Sequence, residues 1–132
     1  MIAMTMILLL TGCLSTSNEE EAVTVSVLSK GSISTSQGFG HINTDFFAEY
    51  EDKATLHTLE NIISSAVQEP GIVDMAEPQF DLELTYSDGS VQGYHLWVGS
   101  TGQRSTLMKV TDTHTVYSVS KEMTETLREL VQ

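Results

Sequence analysis

The chain has 132 residues and a formal net charge of −12, from 18 acidic and 6 basic residues. That imbalance opposes contact with a phosphate backbone or an anionic bilayer surface, so nucleic acid is excluded as a partner. About 110 residues follow the polar N-terminal stretch, enough for one domain around one core and too few for two.

Residues 2–10 read I-A-M-T-M-I-L-L-L, the length of a signal-peptide apolar core and well short of the ~20 residues needed to span a bilayer. Leu10-Thr11-Gly12-Cys13 resembles the lipobox of bacterial lipoproteins, which puts signal cleavage between Gly12 and Cys13 and lipidation on Cys13, the chain's single cysteine. No Lys or Arg precedes the apolar run. A diacylglyceryl group carries two acyl chains, and at about 0.8 kcal/mol per buried CH₂ two chains anchor stably where one is marginal. The expected organisation is a signal peptide over residues 1–12, the lipidated cysteine and a flexible acidic tether over 13–21, and one extracytoplasmic domain over 22–132. The expected membrane contact is through the lipid alone. With Cys13 acylated no thiol is left for a disulfide, so the fold must rest on its core.

Val23, Val25 and Val27 alternate with Thr24 and Ser26, the two-residue period of a half-buried strand. Residues 29–40 are mostly Ser, Gly, Thr and Gln, which predicts a long loop, and residues 46–50 return to extended structure. Asp52 is placed to cap a helix whose Leu56, Leu59, Ile62, Ile63 and Ala66 share one face, with Pro70-Gly71 ending it. Leu82, Leu84 and Tyr86 alternate with Asp81, Glu83 and Thr85, and Asp88-Gly89 then makes a hairpin turn because both positions tolerate positive φ. Strands over 91–98, 105–110 and 114–119 complete an antiparallel meander, with turns at 99–102 and around Asp112-Thr113. Ser120 caps a last helix with Met123, Leu127, Leu130 and Val131 on one stripe. The predicted fold is α+β: an antiparallel meander sheet with two amphipathic helices packed on one face and the other face partly open.

The segments F-F-A-E-Y-E-D-K, P-G-I-V-D-M-A-E-P, Y-H-L-W-V-G, S-T-L-M and D-T-H-T-V-Y occur in this order between Gly38 and Val131. In them the chain resembles the YhfM-like family of small lipoproteins of Gram-positive bacteria. The resemblance implies a signal-anchored protein at the cell membrane, facing the extracytoplasmic side, with no assigned activity. It supplies no catalytic residues, so Cys13 alone carries over as a site. The leader without a basic residue departs from the family's pattern.

Two constellations carry candidate chemistry. If Tyr94, Leu96 and Val98 face the helices, His95 and Trp97 face away, and a lone tryptophan on an open sheet face is an anchor for an envelope protein or small ligand. The opposite register would make Trp97 core. Asp112 and His114 are two apart and project to one side of a strand. With His95 on another strand they form a candidate metal set, since neutral imidazole and carboxylate are ordinary Zn²⁺ ligands. The competing reading is structural, because Asp112 suits a turn and His114 a hydrogen bond at a strand start.

Catalytic templates do not match. There is no G-x-S-x-G elbow, no H-E-x-x-H helix and no G-x-x-x-x-G-K loop. Asp81 and Glu83 are a pair of acids of the kind a solvated strand face carries for solubility. The expected function is therefore a non-enzymatic, membrane-anchored binding or regulatory module without a cofactor, contacting its partner through Trp97 and His95. A metal-dependent protein built on His95, Asp112 and His114 is the alternative.

Overall fold

The computed structural model describes residues 25–71 and 74–132. The leader, Gly12, Cys13, the tether and Val23 lie outside the described residues. The elements in chain order are β1 (Leu28–Thr35), β2 (Ala48–Tyr50), α1 (Lys53–Ser65), β3 (Val67–Gln68), β4 (Phe80–Tyr86), β5 (Val91–Trp97), β6 (Ser105–Lys109), β7 (Asp112–Val119) and α2 (Lys121–Leu130). The strands form one antiparallel sheet in the order β2-β1-β4-β5-β6-β7-β3, and both helices pack on one of its faces, giving the expected α+β fold. No helix among the described residues is long and apolar enough to cross a membrane.

The first strand is not where valine alternation put it. Val25 and Val27 are exposed and outside the sheet, whereas residues 29–35 of the Ser- and Gly-rich stretch belong to β1, paired with both β2 and β4, and only residues 36–40 of it are loop as expected. Both faces of β1 are covered, which is why small residues suit it. Gly31 and Ile33 lie under the helices, and Ser32 and Ser34 are buried on the other side. Propensity was overridden by packing. A Cβ at Gly31 would lie 2.5 Å from Leu59 Cδ1, so the glycine is what lets α1 settle on this strand.

Asp52 caps α1 as expected: its carboxylate accepts from the Thr55 amide at 3.0 Å and the Thr55 hydroxyl at 2.7 Å. Leu56, Leu59 and Ile62 form the buried stripe. The helix ends when Ala66 turns extended, and Val67–Gln68 then pairs with Ser118 and Tyr117 of β7. Thus α1 carries the chain from β2, at one edge of the sheet, to β3 at the opposite edge.

Ser120 caps α2 by accepting the Met123 amide at 3.1 Å. Leu127 is fully buried, with Met123, Leu130 and Val131 beside it. A line of hydroxyls fastens the helix to β6. The Gly99 amide donates to Ser105 Oγ, which lies 2.8 Å from Thr124 Oγ1, and Thr124 donates to the Ser120 carbonyl. Each buried hydroxyl thereby both gives and accepts.

Candidate functional site

On the face away from the helices, pairing register places Ser34, Asp81, His95, Met108 and Val116 in one row across β1, β4, β5, β6 and β7. All five are buried. The middle of this face is therefore covered, while Glu83, Trp97, Thr106 and Ser118 on the same face stay partly exposed and His114 exposed, so the face is only partly open. Two segments roof it: residues 36–45, between β1 and β2, and residues 74–79, ahead of β4.

The roof is fastened by an Asp–His pair. His95 Nδ1 lies 2.7 Å from Asp81 Oδ1, and neither side chain has any solvent exposure. The other ring nitrogen, Nε2, accepts the backbone N–H of Gly40 at 3.1 Å. An acceptor at Nε2 requires the proton on Nδ1, so the ring is the neutral Nδ1–H tautomer and donates to the carboxylate. The second carboxylate oxygen accepts the Asn43 amide at 2.8 Å. Asn43 in turn accepts the Ser34 hydroxyl on its carbonyl at 2.6 Å and donates its side-chain amide to the Thr35 carbonyl at 2.8 Å. A buried carboxylate is tolerable here because it collects a ring N–H and a backbone N–H.

Beside the clasp is an aromatic group. Phe39 meets the His95 ring edge-on at 5.9 Å and the Trp97 ring at 6.0 Å between centroids. Trp97 donates its indole N–H to the Ala76 carbonyl at 3.0 Å, so that with the Gly40–His95 bond both roof segments are held to β5. Phe39 remains 41% exposed. Next to it, Phe39, Asp74, Met75, Met108 and Thr113 line a shallow cavity of about 210 Å³. Farther along β5, Ile42 fills the space over Gly93, where a Cβ would come within 2.8 Å of it.

The proposed residues fare differently. The register of β4 with β5 runs without a break through Gly93, so His95 and Trp97 do face away from the helices. Trp97 is partly exposed, but His95 is sealed beneath Gly40 and is not a surface contact. The metal set is not assembled: among the described residues no group of three His, Cys, Asp or Glu side chains is placed to hold an ion. Both nitrogens of His95 are engaged. The turn lies at residues 110–111 rather than at Asp112-Thr113; Asp112 opens β7 and accepts the His114 amide at 3.2 Å, and His114 is exposed. Asp81 also departs from expectation, since it is a buried acceptor rather than a solubilising acid.

Gly40, Asn43, Asp81 and Phe39 were not identified from the sequence. The available signal was the pairing of Asp81 with His95, and it turns on the length of one turn. A two-residue Asp88-Gly89 turn would set Asp81 opposite Leu96. The Tyr86 amide instead donates to the Ser90 carbonyl, leaving residues 87–89 as a three-residue loop with Gly89 at φ +85°, and Asp81 falls opposite His95.

A family model described as YhfM protein matches residues 30–132. Among solved structures, a thioesterase-like protein from Clostridium sporogenes is similar, with a TM-score of 0.54 and 20% sequence identity over 80% of this chain and 94% of that one. At that identity the likeness is one of fold. A search of curated proteins returned no match.

Proposed function

This chain belongs to the YhfM protein family, and on that footing we propose that it is a non-enzymatic binding or regulatory module held on the extracytoplasmic side of the cell membrane by a lipid on Cys13. The observation that carries the binding reading is how the Asp81–His95 pair is spent. An imidazole that is to act as a base needs a free lone pair, and here that lone pair accepts the Gly40 amide. What the pair achieves is to hold residues 36–45 so that a partly exposed Phe39 stands over Trp97 beside a cavity. An aromatic side chain fixed in advance loses little freedom on binding, the property of an interface anchor.

Anchoring and contact are tested in the same cells. Cys13→Ser should move the protein from the membrane to the soluble fraction; retention at the membrane would sink the lipid anchor. For the contact, a photo-crosslinking phenylalanine analogue is placed at Phe39 and, as control, at Val67, which is 61% exposed on the far edge strand. A discrete cross-linked species from position 39 alone supports the reading. The same species from both positions, or none, removes it.

A further inference from the structure

The helix-covered face of the sheet holds a second cavity, independent of Phe39 and Trp97. It lies past the C-terminal end of α1 and has a volume of about 180 Å³. Ile63 and Ala66 form its wall, the buried Tyr94 and Leu107 its floor, and Lys109 and Tyr117 its rim. Tyr94 presents only its ring, because its hydroxyl donates to Gln92 Oε1 at 2.9 Å.

Lys109 gives this apolar hollow a charge. Its ammonium stands 5.8 Å from the centroid of the Tyr117 ring, within cation–π range. In a chain carrying 18 acidic residues, no carboxylate among the described residues forms an ion pair with it. Asp112 is its cross-strand partner and feels its charge, Lys109 being one of the lesser causes that lower the Asp112 carboxyl, but the hydrogen bonds of that carboxylate go to the Thr115 hydroxyl and the His114 amide and it makes no ion pair with Lys109. One ammonium suits a single negative charge, whereas a phosphate group calls for several donors. The volume is below the roughly 300–1,000 Å³ of drug-sized sites, which limits the ligand to one ring or a short branched chain.

We propose that this cavity binds a small carboxylate with an apolar body, seated over Tyr94 and Leu107 with its charge against Lys109. In the test, the full chain is titrated with phenylacetate and separately with phenylacetamide while backbone amide resonances are followed. Saturable shifts at Ala66, Leu107, Lys109 and Tyr117 are expected with the acid, and binding about five-fold weaker with the amide, the scale of one exposed charge pair. Lys109→Met keeps the apolar stem and should erase the difference between acid and amide. Ala66→Leu, which fills the wall, should weaken both ligands at an unchanged urea midpoint. Absence of saturation by the acid, equal binding of acid and amide by the unaltered chain, or shifts centred on Phe39 and Trp97 would each overturn the proposal. The cross-linking at Phe39 reads the opposite face, so failure at one site leaves the other standing.

Discussion

Gly40 donates its backbone N–H to Nε2 of His95 across 3.1 Å, and this bond decides which nitrogen of the ring carries the proton. Nitrogen-15 spectra of the imidazole near neutral pH should show Nδ1 protonated and Nε2 bare; a proton on Nε2 would contradict the clasp. Asp81→Ala leaves the His95 Nδ1–H and the Asn43 amide without their acceptor, and should lower unfolding free energy by about 3 kcal/mol. Asp81→Asn should do less harm. Its amide oxygen can still accept from His95, while its NH₂ then faces the Asn43 donor.

Leu59 of α1 occupies the space where a side chain on Gly31 would begin, 2.5 Å from an added Cβ. Gly31→Ala should destabilise by about 1–3 kcal/mol, because the added methyl displaces a leucine that is itself fully buried. If the cause is this contact, shortening the partner will relieve it. In a double-mutant cycle with Leu59→Val measured by urea unfolding, the two losses should combine to less than their total. Simple additivity would locate the strain elsewhere.

Asp52 sets an acid limit on α1. Hydrogen bonds from the Thr55 hydroxyl and then the Thr55 amide hold its carboxyl below the ordinary value of 3.8, and Asp88 and Asp112 are lowered in the same sense by Ser90 and Thr115. A carboxyl depressed on folding contributes stability that is complete above its unfolded value and lost as pH falls through its folded one. The urea midpoint should therefore hold steady down to about pH 5 and fall below about pH 4. Asp52→Asn keeps a capping oxygen but removes its titration, so the drop should shrink. An unchanged drop would mean that the Asp52 cap is not part of it.

Phe39 shields the chain's single tryptophan. Phe39→Ala should shift Trp97 emission to longer wavelength by admitting water to its face, while stability changes by less than about 1 kcal/mol because Phe39 is already partly exposed. A blue shift, or a large loss of stability, would show that Phe39 belongs to the core rather than to the surface.

Where sequence periodicity and structure agree, one face carries the apolar core and the other is at least partly exposed. The meander and both capped helices announce themselves in that way, down to Asp52 and Ser120 as caps. β1 was hidden for the opposite reason. With helices on one side and the 36–45 segment on the other, it uses Ser32, Ser34 and Gly31, residues whose intrinsic preference is for turns. The Asp81–His95 clasp was hidden by a single residue of turn length, and its third partner is a backbone amide, which no side-chain pattern records. Trp97 faces away from the helices as the alternation suggested, but what lies over it came from loops that have no period to follow.

The course of β1 gives the domain two poles. It enters at Leu28, opposite Tyr86, and leaves at Thr35, opposite Phe80, which itself faces Leu96 beside Trp97. At ~3.3 Å per residue these ends stand roughly 23 Å apart. With the lipid proposed on Cys13, the chain would reach the domain on the Leu28 side, and Phe39 and Trp97 lie toward the other end. A partner on the same side of the membrane would then meet the aromatic pair at the end of the domain away from that attachment.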